Sequence, residues 1–135
     1  MKFKVNFVQS VVNGIQGLGY AFLSLQGEYL KSIHDRSWMS GHLCDFALPA
    51  AMVSVGNLYS FGNKTLEAVT TLVPPILCTL HELDIINLSS SSRTYDSQDI
   101  VCYWAGAACA FGLSKIAKSK SVKNLVNRLI RRPIR

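Results

Sequence analysis

HELDIINLSSSSRTYDSQDIVCYWAGAACAFGLSKIAKSK, residues 81–120, carries the pattern that decides the fold. Its first half is crowded with titratable and hydroxyl side chains. From Ile100 to Ser114 there is then no charged residue, until Lys115 and Lys118 close the run. Ala105, Gly106, Ala107, Ala108, Ala110 and Gly112 lie along it. Small residues of this kind let helices approach closely where the hydrophobic effect cannot drive association.

Composition points the same way. Only 16% of the 135 residues are charged, against about 25% in soluble domains. The mean hydropathy of +0.22 leaves little polar surface for a water-soluble globule. A net charge of +6 invites a nucleic-acid reading, but eight of the fourteen Lys and Arg residues fall from Lys115 onward, directly after an apolar run. That placement suits a membrane surface. Membrane lipids are the expected partners, with no nucleic acid and no cofactor.

Three further segments complete the expected bundle. LCDFALPAAMVSVGNLYSF, about residues 43–61, has Asp45 as its one ionisable group; as a helix it covers about 28 Å, close to the hydrocarbon thickness. The next, about 66–86, carries Pro74-Pro75 at its middle and should kink there. The first, Val5 to Leu25, sets Asn6, Gln9, Asn13, Gln16, Tyr20 and Ser24 three or four residues apart, on one stripe of a helix. That stripe suits either a bundle interior or a helix lying in the interface; a cleaved signal peptide fits least. The expected fold class is all-α, a polytopic membrane helix bundle with about four transmembrane helices over residues 1–120, followed by a basic tail over 121–135.

Charge placement orients such a bundle. With four spans, Lys2, Lys4, Lys64 and the eight C-terminal basic residues share one side, and Lys31, Arg36 and Arg93 lie opposite, an 11 to 3 split. The positive-inside rule then puts both termini in the cytoplasm of a multi-pass plasma (inner) membrane protein. The tail lies on the anionic leaflet, with Val122, Leu125 and Leu129 as its apolar edge, and ordinary anchoring explains it.

The same layout gathers the titratable groups at the outer face. His42 and Asp45 stand three apart at the entry of the second helix. His81, Glu82 and Asp84 end the third, and Arg93, Asp96 and Asp99 open the fourth. Ionisable groups near a bilayer turn toward one another or toward water, so a polar pocket of His42, Asp45, His81, Glu82, Arg93, Asp96 and Asp99 is expected. Asp96 reads first as a helix cap, and Asp99 as a capping acid or as a partner of Arg93 or a histidine. No histidine pair has metal-site spacing, and no nucleophile motif is present, so neither a metal nor a catalytic residue is assigned. Cys44, Cys78, Cys102 and Cys109 behave as small hydrophobes, though a Cys44–Cys102 bridge stays open. Trp38, Tyr95, Tyr103 and Trp104 read as an aromatic belt.

GHLCDFALPA (residues 41–50), LHEL (80–83) and RTYDSQDIVCYWAG (93–106) together resemble the VanZ-like family, small helical membrane proteins named for a member associated with teicoplanin resistance. The resemblance covers roughly Arg36 to Ile116. Arg93, Asp96, Asp99, Gly106 and Glu82 match its motifs, whereas Tyr103 stands where Asn is usual and Ile85 where Gln is common. It implies a cell-envelope role without a defined molecular activity, whose ligand would be an anionic envelope lipid or a phosphate-containing group held by Arg93. A noncatalytic scaffold, in which the polar residues lock helices together, and an enzyme acting on lipid-linked envelope precursors, with the histidines and Glu82 carrying protons, are the readings from other classes.

Overall fold

The computed structural model describes residues 7–33, 38–60, 62–83, 85–86 and 96–130. Arg93, Tyr95, Asp84 and residues 34–37 lie outside the described residues, as do Lys2, Lys4, Asn6 and 131–135. Among the described residues the chain is all-helical: α1 (Phe7–Ser32), α2 (Trp38–Tyr59), α3 (Lys64–Glu82), α4 (Ser97–Lys118) and α5 (Lys120–Ile130). α1 outruns its expected end by several residues, and α3 continues through Pro74 and Pro75, both buried.

α2 and α4 form the central pair, with α1 and α3 at the far corners, each touching both. Backbone nearly meets backbone at the central crossing: a methyl group on Gly106 would overlap the Phe46 carbonyl. Ala50, Val53, Ala107 and Ala110 continue this interface as a core of small side chains, with Tyr20 and Phe111 against it. α1 runs antiparallel to α2, since Gly27 lies against Cys44 and Gly17 against Ser54 and Val55. A Cβ on Gly27 would sit 2.8 Å from the Cys44 nitrogen. The α2–α3 turn is tight: Gly62 takes φ 79°, the Asn63 N–H donates to the Ser60 carbonyl at 2.9 Å, and the Asn63 side chain caps α3 by accepting from the N–H groups of Thr65 and Leu66.

Which side chains face inward is the notable result. The amide stripe of α1 faces its neighbours: Gln9 Nε2 donates to Ser114 Oγ at 3.1 Å, Ser54 Oγ donates to Gln16 Oε1 at 3.3 Å, and Ser24 bonds Cys44 at 3.2 Å. Asn13 is 1% exposed, whereas Phe7 is 74% and Leu18 77% exposed. The same reversal holds on α2 and α3, where Ser54, Asn57, Ser60 and Glu67 are buried while Val55, Leu66, Leu72 and Ile76 point outward. From Gln9 to Ser24 the polar stripe of α1 is therefore turned into the bundle, the arrangement the interior alternative called for. By length and composition alone, α4 is the one described helix apolar enough to cross a membrane. All four cysteines are free, so the Cys44–Cys102 bridge does not form.

The crossings predict opposite outcomes for two alanine substitutions. Gly106→Ala should destabilise the purified chain by about 1–3 kcal/mol through overpacking. Gly112→Ala, whose added methyl meets nothing within 4 Å, should stabilise it by up to about 1 kcal/mol through helix propensity. Thermal melts of the two variants check this; equal shifts would contradict the packing described.

Candidate functional site

Because α2 and α4 run parallel and α3 runs against them, the start of α2, the end of α3 and the start of α4 meet at one end of the bundle. His42 lies in the second turn of α2, and its Nδ1 is 2.7 Å from Asp99 Oδ1 on α4. Both side chains are largely buried. Asp45, nearly one turn deeper on α2, is buried among interacting groups.

Glu82 closes α3 and ties it to α4. Its Oε1 accepts from the Asp96 backbone N–H at 3.1 Å and its Oε2 from the Tyr103 hydroxyl at 3.2 Å. Glu82 and Tyr103 are 5% and 3% exposed, so neither oxygen of this carboxylate relies on water alone. A buried carboxylate needs such donors, because desolvation without them costs several kcal/mol. Asp96 is the N-cap of α4, with extended backbone at φ −129° and ψ 117°. Its carboxylate accepts from the Gln98 N–H at 2.8 Å. Asp99, in the first turn, adds a negative charge at the positive end of the helix dipole.

The structure thus brings together five of the seven expected residues: His42, Asp45, Glu82, Asp96 and Asp99. His81 bonds its own loop, with Nδ1 3.1 Å from the Ile86 carbonyl. Arg93 lies outside the described residues. Asp96 caps as expected, and Asp99 takes a histidine as partner. Tyr103, read as a belt residue, is instead an interior donor to Glu82; its position four residues after Asp99, on the same helix face one turn deeper, was the available signal. Trp104 does face outward, its Nε1 donating to Thr79 Oγ1 at 3.2 Å.

Among the described residues the cluster holds four carboxylates and one imidazole, so its field favours a proton or a cation. One ligand atom each from His42, Asp96 and Asp99 lies within 4.8 Å of the others, the types and spacing a divalent ion accepts. His42 and Asp99 already bond each other and Asp96 already caps α4 through the Gln98 N–H, a structural arrangement that explains all three.

A second polar layer closes the opposite end. Glu67, 2% exposed, receives Lys118 Nζ at 2.7 Å and Lys115 Nζ at 3.3 Å. Nearby, Asn57 Oδ1 accepts from Thr70 and Thr71. The sequence marks Glu67 as the lone acid of that side, but the lysines are about fifty residues away in the chain and nothing local announces the pairing.

No family model matches this chain, and neither the curated proteins nor the solved structures yield a match.

The Glu82–Tyr103 bond predicts a measurable coupling. Tyr103→Phe and Glu82→Gln should each destabilise the bundle, and the double variant should lose less than their sum by about 0.5–3 kcal/mol. Strict additivity in denaturation of the four proteins would contradict a direct bond.

Proposed function

We propose that the chain is a VanZ-like polytopic membrane protein of the cell envelope, with α1 to α4 crossing the plasma membrane, both termini cytoplasmic, and the His42–Asp45–Glu82–Asp96–Asp99 cluster facing outward. The observation that carries the bilayer reading is the reversal of side chains. Phe7, Ile15, Leu18, Phe22, Leu72 and Val101 are exposed while Asn13, Ser54, Asn57 and Ser114 are buried. In water this arrangement would leave a continuous apolar surface, which soluble monomers rarely carry. In hydrocarbon it is the favourable one, since interior positions then select for close approach and for hydrogen bonds such as those of Ser114, Ser54 and Asn57. The buried Asn13 amide, which has no such bond among the described residues, is the exception. On this reading α4 crosses by its own apolarity, and α1 to α3 cross with it by turning their polar stripes inward.

The acidic cluster, in this setting, is an outward-facing site that attracts protons or cations. Any anionic envelope ligand would depend on the outer-loop arginine, Arg93, to offset the carboxylates. The scaffold reading keeps its own support: His42 to Asp99 and Glu82 to Tyr103 each join two different helices.

The test is expression of the full chain in a glycopeptide-susceptible Gram-positive host. The account predicts that the chain stays in membranes through an alkaline carbonate wash and lowers teicoplanin susceptibility, and that Asp99→Asn removes this protection at unchanged membrane abundance. Loss of protection together with abundance supports the scaffold instead. Unaltered teicoplanin susceptibility with the parent chain overturns the VanZ-like reading.

A further inference from the structure

We propose that the cleft between α3 and α4 binds one acyl chain of an anionic phospholipid, with the headgroup seated on Lys115. The inference rests on the bilayer reading above and adds a specific occupant of the α3–α4 seam, entered from the cytoplasmic end of the bundle. The cleft has a volume of about 360 Å³ and is lined by Ala68, Leu72, Pro75, Trp104, Ala108 and Phe111, with Thr71 and Ala107 beneath. It exists because alanines stand where larger residues would close the α3–α4 seam. From Trp104 to Phe111 it follows about 10 Å of helix.

Its walls hold nothing for water. The Trp104 N–H is bonded to Thr79, the Thr71 hydroxyl donates to the Glu67 carbonyl at 2.7 Å, and Pro75 has no backbone N–H to offer. A polar occupant would lose hydrogen bonds on entering; a hydrocarbon chain loses none.

Charge selects the headgroup. At one end of the cleft Lys115 Nζ sits 4.8 Å from the centroid of the Phe111 ring. Lys115 and Lys118 share the single carboxylate of Glu67, and the Lys115 side chain remains 47% exposed. An ammonium charge is therefore left over at the mouth, and Lys120 and Arg128 follow on α5. A phosphate on a glycerolipid meets that excess, with its acyl chain running from Phe111 toward Trp104. A second copy of this chain, itself of net charge +6, brings no comparable anion to that end.

Trp104 reports on the cleft directly, being 42% exposed and one of only two tryptophans. The experiment uses the full-length chain carrying Trp38→Phe, reconstituted in vesicles of dibrominated phosphatidylglycerol or dibrominated phosphatidylcholine mixed with unbrominated lipid. Bromine on the acyl chain should quench Trp104 in both, with half-maximal quenching by the glycerol lipid at about fivefold lower mole fraction, the equivalent of one basic contact at an anionic surface. Lys115→Gln should remove that preference while leaving phosphatidylcholine quenching unchanged. Ala108→Phe, which fills the cleft from an exposed position, should weaken quenching by both lipids. Equal quenching of the parent by the two lipids, or quenching untouched by Ala108→Phe, overturns the site. Quenching that rises only as protein is diluted into lipid assigns the cleft to a second copy and likewise overturns it. Absence of quenching by either lipid contradicts the bilayer reading itself.

Discussion

At the centre of the bundle the Gly106 Cα lies against the Phe46 carbonyl, too close for any side chain between them. Everything else in the arrangement accommodates that contact. Two backbones held so near favour small residues along the seam, and Ala47, Ala50, Ala107, Ala110 and Ser114 are buried there beside Val53. Many of the bulky side chains, among them Phe7, Leu18, Phe22, Leu72 and Val101, are turned outward. A helix pair assembled this way draws stability from van der Waals contact and interhelical hydrogen bonds rather than from removing large apolar groups from water. The proposed bilayer follows from the requirement that the displaced Leu, Ile, Phe and Val side chains find an apolar solvent.

Polar groups bracket this small-residue seam at both ends. At one, Glu67 of α3 reaches Lys115 and Lys118 of α4; at the other, Glu82 of α3 holds Tyr103 and the α4 N-terminus while His42 of α2 holds Asp99. The two ends differ in sign. One leaves an unmatched ammonium, the other an excess of carboxylate among the described residues, and so a bilayer-embedded chain would offer anion affinity on one face and proton or cation affinity on the other. Each end also clamps α3 to α4, which helps keep a helix with two internal prolines in register.

How far this could be read from sequence depends on the range of the interactions. The helices were legible because charged residues bracket each apolar run: the uncharged run from Ile100 to Ser114 falls inside α4, and 43–61 overlaps most of α2, which begins earlier at Trp38. Clustering of His42, Asp45, Glu82, Asp96 and Asp99 was legible too, since consecutive helices of a bundle alternate direction and so bring the start of α2, the end of α3 and the start of α4 to one end. Periodicity showed that Gln9, Asn13 and Gln16 share a stripe, yet not which way the stripe looks, because a helix wheel contains no neighbour. Tyr103 was misassigned for the same reason, its ring being as suited to an interface as to an interior carboxylate. The Glu67–Lys118 pair and the Gly106–Phe46 crossing join residues far apart in the chain, and only the packed register brings them together.

The central claim is that hydrocarbon surrounds this bundle, and collision accessibility of nitroxide labels tests it most directly. Labels placed singly at Leu18, Phe22, Val55, Leu72 and Val101 of the reconstituted chain should be relaxed strongly by oxygen and weakly by a polar nickel chelate. A label at Gln98, near the α4 N-terminus, should show the reverse. Strong relaxation by the nickel chelate at Leu18, Leu72 and Val101 would place those side chains in water and contradict the account.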